Sequence, residues 1–317
     1  MDEPLWRATM MSTILAVSAI GLAALFDRLA GEFPTRFHPV AWFGRLVSLV
    51  DREWGSSAVL IGFGVALFFP LIAAGVSWAV VAAGVAVNPW IGVLVAAAVL
   101  FTTTSLQSLL EMTTRVLEDV ERESATVHDT IRGLVGRETS SLSPAELRSG
   151  AIESAAENLA DGFVGPLLPF ALLAPISLPL GAAAATWVKA VNTLDSMLGY
   201  PEKAVGTGSA RLDDAVMWVP ARLSALLLAL AAFEWRSLLR AREWSQIPAS
   251  PNSGWPMATL AAILDVRLEK HEAYVLNGSR PLPTAVDGRR AVVVVRRAGW
   301  LAVVGAMVVA LSAGVSQ

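Results

Sequence analysis

The sequence predicts an all-α fold: a polytopic integral membrane helical bundle with broken or re-entrant helices around a polar cavity, and a helical cytoplasmic region. Three observations predict it. Of 317 residues, 55% are hydrophobic and 16% charged, with a mean hydropathy of +0.57, which is too apolar for an ordinary soluble domain. Several apolar stretches reach or approach the ~20 residues a helix needs to cross a hydrocarbon core. Finally, Trp6, Trp54, Trp90, Trp187, Trp235 and Trp300 stand near segment ends, where an amphipathic indole prefers the headgroup level.

The first span is read at residues 10–26. No small-residue cleavage site follows it, only Phe26-Asp27-Arg28, so it reads as a retained helix rather than a signal peptide. The second, 57–87, is longer than an upright span needs and holds Pro70, which predicts a tilted or kinked helix. Asn88-Pro89 predicts a tight reversal into a third span at 90–108. Residues 109–150 form a polar, charge-rich helical insert, in which Ser143-Pro144-Ala145-Glu146 fits an N-cap, a proline at the first helical position and an acid in the first turn.

Residues 163–186 are apolar but carry Pro166, Pro169, Pro175 and Pro179, which predicts a broken or re-entrant segment. Irregular backbone at that depth is tolerated only where protein or a water-filled cavity surrounds it. Apolar runs at 216–233 and 298–314 complete a single membrane domain over 1–317, without internal repeats or low-complexity tracts. Basic residues cluster at 27–56 (Arg28, Arg36, Arg45, Arg52), at 109–162 (Arg115, Arg122, Arg132, Arg137, Arg148) and at 234–297. The positive-inside rule places all three clusters in the cytoplasm, with the N-terminus outside.

Composition removes several functions. Cysteine is absent, so disulfides, thiolate metal sites and thiol chemistry are excluded. A net charge of −3 argues against non-specific nucleic-acid binding, which needs clustered excess Lys and Arg. No Walker A run, Gly-rich dinucleotide fingerprint, HExxH or GxSxG occurs. Any nucleotide chemistry would therefore use a less familiar site.

Polar residues beside the apolar segments carry the functional signal. Glu153, Glu157 and Asp161 follow i, i+4, i+8 spacing on one helical face. Stacked carboxylates repel, and hard oxygen ligands suit Mg²⁺ shared with a substrate phosphate; a solvated acidic face has the same spacing. In Lys189 to Tyr200, Lys189, Asn192, Ser196 and Gly199 fall near one face with Asp195 beside them. Ionisable residues next to a membrane-depth segment are functional candidates, although Lys189 as a snorkelling side chain is the competing reading. Arg211-Leu212-Asp213-Asp214 precedes an apolar run holding Pro220 and Arg222, and Arg222 needs a carboxylate or phosphate partner. A structural bridge from Asp213 or Asp214 would serve equally. His38, alone, cannot define a metal site. Ser250-Pro251-Asn252-Ser253-Gly254-Trp255-Pro256 is dense in turn formers and reads as a stiff, structured loop.

Together these runs resemble the CobD/CbiB family of membrane-bound adenosylcobinamide-phosphate synthases. The matching elements are Asp27, His38-Pro39-Val40 and Gly44, then Gly136-Arg137, Glu153-Ser154, Glu157-Asn158 and Asp161-Gly162. They continue with Asn192 to Met197, Gly199-Tyr200, Arg211 to Asp214, Pro220-Ala221-Arg222, Ser250-Pro251-Asn252 and Gly254-Trp255-Pro256, spanning roughly 20–275. Departures stand at Gly31-Glu32-Phe33-Pro34, where the family often reads Gly-Asp-Pro, at Ile247-Pro248-Ala249, which lacks a histidine, and around Leu268 to His271, which lacks the usual Gly-Gly.

The resemblance implies a multi-pass protein of the cell membrane. It implies ATP- and Mg²⁺-dependent amide ligation between a propionate carboxyl of adenosylcobyric acid, a corrinoid, and (R)-1-aminopropan-2-ol or its phosphate, through an acyl phosphate that the amine attacks. On that reading Glu153, Glu157 and Asp161 hold the metal. Lys189 or Arg222 neutralises phosphate charge, and Asp195 or Asp214 accepts the amine proton. Asp27, His38, Asn158, Asn192, Ser196, Tyr200, Asp213, Asn252 and Trp255 bind substrate or cofactor. Membrane lipid and other late cobalamin-pathway enzymes are the expected partners besides the small-molecule substrates, and nucleic acid is not. Two rival classes are a non-enzymatic sensor or scaffold of the AmpE type and a corrinoid transporter.

Overall fold

The computed structural model describes residues 5–31, 35–124, 127, 131 and 142–315. The Glu32-Phe33-Pro34 run, Arg132, Gly136-Arg137 and the side chain of Trp6 lie outside the described residues. In chain order the helices are α1 (Leu5–Ala30), α2 (Pro39–Ser48), α3 (Ala58–Val87), α4 (Pro89–Thr103), α5 (Leu106–Glu121), α6 (Pro144–Leu159), α7 (Gly165–Leu173) and α8 (Leu178–Leu198). They continue as α9 (Thr207–Val216), α10 (Trp218–Ala232), α11 (Arg236–Ala241), α12 (Gly254–Leu264) and α13 (Ala285–Val315), with one hairpin of β1 (Leu268–Lys270) and β2 (Tyr274–Leu276) between α12 and α13.

Among the described residues, four helical stretches are long and apolar enough to cross a membrane: Met10–Ala30, Gly55–Val87, Pro89–Glu121 and Ala285–Ser312. Ala204–Val216 and Trp218–Ala232, interrupted at Met217, make a fifth if they are one broken span. The protein is an all-α polytopic membrane protein. Its chain forms two compact units interleaved in sequence: residues 1–105, 165–216 and 303–317 in the first, 106–164 and 217–302 in the second.

In the first unit α3 packs on α4, α8 and α9, and α1 packs on α4. The core under α2 gathers Val47, Val65, Leu194, Leu198 and Val205. Along its length α3 also exposes Leu60, Leu67, Phe68, Ile72, Val76 and Val80, apolar surface that water would not tolerate and a bilayer solvates. Pro70 lies inside this single helix. Asn88, with φ −164° and ψ 136°, both ends α3 and caps α4: its N–H reaches Gly84 O and its side chain accepts from Trp90 N at 2.9 Å.

The apolar helix expected over 90–108 stops at Thr103. Thr103 and Thr104 both turn their hydroxyls back onto Leu100 O, and Thr104 is extended (ψ 156°). Hydroxyls that bond the preceding turn compete with the helical ladder. The proline-rich segment 163–186 is broken. α7 has nine residues, about 13 Å of helix, too short to cross a ~30 Å core. After Ser177, α8 turns back against it. Gly181 permits that approach, because a Cβ there would sit 2.8 Å from Ala174 N.

In the second unit α5 buries Leu106, Leu109, Leu110, Thr113, Val116, Leu117 and Val120, the i, i+3, i+4, i+7 stripe of an amphipathic helix, against α6. A reciprocal capping box of Ser143 and Glu146 starts α6. α12 is buried around its circumference, packed by α6, α10 and α11, as expected of a helix apolar on all faces. α13 begins well ahead of the apolar run read at 298–314. Thr284 and Asp287 exchange cap hydrogen bonds, and helix then propagates through Arg289, Arg290, Arg296 and Arg297, which hydropathy does not count as span.

Candidate functional site

The residues singled out by sequence fall into both units. In the first unit, α8 carries Lys189, Asn192, Asp195 and Ser196, and α9 carries Asp213 and Asp214. Glycine contacts fix these two helices: a Cβ on Gly206 would strike Leu198 O, one on Gly62 would strike Val205 O, and Gly208 lies against the Gly62 and Phe63 backbone. Asp213 is buried, and Asp195 and Asp214 are half-buried.

Asp195 is the perturbed acid of this group. Burial first, and the neighbouring Asp214 carboxylate second, push its pKa from 3.8 to about 6, because both disfavour the charged form. Its carboxylate lies over Gly199, where any Cβ would collide with Oδ1, and Gly199 N donates to Asp195 O at 2.7 Å. The glycine of this motif is therefore space for the acid.

Other predicted residues of this unit have structural neighbours. His38 caps α2, its Nδ1 accepting from Val40 N at 3.2 Å, which leaves a neutral ring's proton on Nε2. Ser196 is exposed and donates to Thr193 O at 3.0 Å. Tyr200 is exposed, with Lys203 Nζ 5.3 Å from its ring centroid, and Lys203 pairs with Asp51 at 2.8 Å. Asp27 is buried near the end of α1.

In the second unit, Glu153 is 4% exposed. Its Oε1 accepts from Ser149 Oγ and its Oε2 from Tyr274 OH, both at 2.7 Å. Ser149 Oγ in turn accepts from Glu269 N at 2.8 Å. One buried carboxylate thus ties α6 to both strands of the hairpin. Tyr274, one of two tyrosines in the chain, and Ser149 escaped sequence reasoning. The only signal was a serine four residues before Glu153 on the same face.

Glu157 stays on α6, half-buried, while Asp161 falls in a π-helical turn, Ala160–Val164. Such a turn takes an extra residue, so the single face expected for Glu153, Glu157 and Asp161 ends at Leu159. Among the described residues no group of three or more His, Asp or Glu is arranged to hold a metal ion. Mg²⁺ needs less: one or two carboxylates plus substrate phosphates suffice, and the Asp195–Asp214 pair meets that donor count. Asn158 Nδ2 donates to Ser154 O at 3.0 Å.

Arg222, on α10, donates from Nη1 to Trp218 O at 2.9 Å and to Asn252 Oδ1 at 2.7 Å, and from Nη2 to Pro251 O at 3.3 Å. Its guanidinium also lies 4.4 Å from the Trp218 ring centroid and 5.3 Å from that of Trp255, within cation–π range. These partners are neutral, so they orient the cation, and among the described residues no ion pair to Arg222 is seen. The loop is stiff for the same reason: Asn252 is buried and its N donates to Ser250 Oγ at 3.2 Å, and a Cβ on Gly254 would strike Ser245 O.

Comparison with known proteins gives this arrangement a family. The profile described as "CobD/Cbib protein" matches residues 20–302. A "Cobalamin biosynthesis protein CobD" from Klebsiella pneumoniae is 38% identical over 263 residues, covering 78% of this chain and 80% of its own length. A "Cobalamin biosynthesis protein CbiB" from Salmonella paratyphi B is 36% identical, covering 80% and 82%. A CobD from Dehalococcoides mccartyi is 35% identical, covering 82% and 87%. No solved structure matches the chain. A multi-pass helical chain that carries these motifs in order, matched along most of its length, belongs to the CobD/CbiB family and has a role in cobalamin biosynthesis.

Proposed function

We propose that the protein is an adenosylcobinamide-phosphate synthase of the cell membrane, joining (R)-1-aminopropan-2-ol or its O-phosphate to a propionate carboxyl of adenosylcobyric acid with consumption of ATP. The observation that carries the reading is the Asp195–Asp214 pair, a half-buried acid with a pKa of about 6 on a family motif. A proton acceptor of this kind serves amide formation. A carboxylate is a poor acyl donor until its oxygen leaves as phosphate; the amine then forms the C–N bond, the C–O bond to phosphate breaks, and one proton must leave the nitrogen. Asp195, ionised above pH 6 and still basic for a carboxylate, takes that proton.

Asp214 together with phosphate oxygens would hold Mg²⁺, which would supply Lewis-acid and templating chemistry. Lys189 or Arg222 is the cation that meets the phosphate charge. Other late enzymes of the pathway are the proposed protein partners.

The test is purified protein with adenosylcobyric acid, aminopropanol O-phosphate or free aminopropanol, and MgATP, read by mass spectrometry. Formation of the mass-shifted cobinamide with stoichiometric ADP and phosphate is the expected result. Unchanged product formation by both Asp195→Asn and Asp214→Asn would show that the pair is not the reacting centre.

A further inference from the structure

The first unit holds a cavity of about 470 Å³ whose lining the proposed chemistry touches only at Lys189. Phe69, Ile72, Ala73, Val76, Ser77 and Val80 of α3 line it, in the i, i+3, i+4, i+7, i+8, i+11 spacing of one helical face. Thr186 and Ala190 of α8 flank that face, and Trp42, Phe43 and Leu46 of α2 close one end, with the Phe43 ring edge-on to Phe69 at 6.5 Å between centroids. The space is therefore a slot running along α3. From Phe69 to Val80 it measures about 16 Å, close to the ~15 Å depth of one leaflet of a ~30 Å hydrocarbon core.

Its threonine hydroxyls are hydrogen-bonded within the protein. Thr186 Oγ1 donates to Ser77 Oγ at 2.8 Å, and Thr102 and Thr103 donate to Val99 O and Leu100 O. Lys189 is the one charged residue among the described residues of the lining, and its four-carbon stem is compatible with an apolar neighbour. The rim residues Trp42, Ile72, Val76 and Val80 are all about half exposed, so the slot opens sideways where the helices face lipid.

The closed end is marked as a headgroup level. Here α2 exposes Trp42 and Leu46, and Leu49 just past its end is exposed as well, while Arg36, Arg45 and Arg52 stand before, on and after the helix. Arg36 lies 4.7 Å from the Phe37 ring centroid and Arg52 4.0 Å from that of Trp54. Arginine with aromatic residues on a short amphipathic helix is the pattern of an interfacial segment drawn to anionic lipid.

We propose that the slot seats one acyl chain of an anionic glycerophospholipid, its phosphate drawn to the basic segment that carries Arg36, Arg45 and Arg52. Native mass spectrometry of the full chain in detergent, titrated with phosphatidylglycerol or with phosphatidylcholine of identical chains, tests it without any corrinoid turnover. One phosphatidylglycerol per chain should resist detergent exchange, retained at least fivefold more than phosphatidylcholine. Ala73→Phe, which fills the slot, and Val76→Trp, a rim change on an exposed position that leaves the core intact, should each lower retention at least fivefold. The double change Arg45→Gln with Arg52→Gln should abolish the headgroup preference while the chain stays bound. Retention equal to wild type in both slot variants would reduce the lipid to ordinary annular contact and overturn the proposal. Equal retention of the two lipids by the wild type would overturn the anionic headgroup.

Discussion

Glu153 and Asp195 are both acids withdrawn from water beside apolar helices, and the protein treats them in opposite ways. Around Glu153, in the second unit, two hydroxyls converge on the carboxylate. Around Asp195, in the first unit, the neighbour that matters is another acid, Asp214. Burial costs the charged form in either setting. Directed donors turn that cost into a structural tie, whereas a like charge leaves it as reactivity. The difference separates a residue that holds α6 to the hairpin from one that, in the proposed reaction, exchanges a proton.

The largest effect expected from breaking this contrast is on turnover. Asp195→Asn should lower ligation at least a hundredfold in the mass-spectrometric assay, because a proton acceptor contributes about 10²–10⁴. The same change should stabilise the fold at pH 7.5. An acid whose pKa rises from 3.8 to about 6 on folding disfavours the folded state once ionised, and replacing it by an uncharged amide relieves on the order of 2–3 kcal/mol. A thermal melt in detergent should therefore rise as activity falls; a lower melting temperature would mean that Asp195 is tied like Glu153.

Glu153→Ala should do the reverse, costing about 3 kcal/mol by leaving the buried Ser149 hydroxyl and the half-buried Tyr274 hydroxyl without their acceptor, with Tyr274→Phe costing about 1 kcal/mol. Limited proteolysis between β1 and β2 should report both. The pH profile offers a finer test. Wild-type kcat/KM should fall about tenfold per pH unit below 6, as Asp195 takes up a proton and can no longer accept one. In Asp214→Asn the like charge is gone, so the midpoint of the residual activity should move to lower pH; a midpoint that stays at 6 would assign the shift to burial alone. The smallest effect should come from Arg222→Lys, which keeps the charge but cannot reach Trp218 O, Asn252 Oδ1 and Pro251 O together: a few-fold rise in KM for ATP with kcat nearly unchanged.

Much of the architecture was legible because its causes are local. Hydropathy, four prolines in one apolar run and the Ser143 to Glu146 cap each act within a turn or two of the chain, and the broken segment, the long α3 and the start of α6 follow from them. The acidic motif was legible only in part. Spacing places Glu153 and Glu157 on one face, but the π-helical turn that takes in Asp161 depends on packing against α10, and no periodicity reports it. Tyr274 lies 121 residues from its partner Glu153, a separation at which a single sequence offers no pairing signal. For α13, hydropathy recognised the apolar half and missed the arginine-bearing half, because helix continues through charged residues once capped.

Asn88 is the entire connection between α3 and α4, closing one helix with its backbone and opening the next with its side chain. A joint of a single residue leaves no slack. The two helices are held in one register, and a pair joined this tightly is expected to enter the bilayer as a hairpin. An epitope tag spliced at its tip would therefore disrupt insertion itself, and a reporter of sidedness belongs instead on the hairpin between β1 and β2.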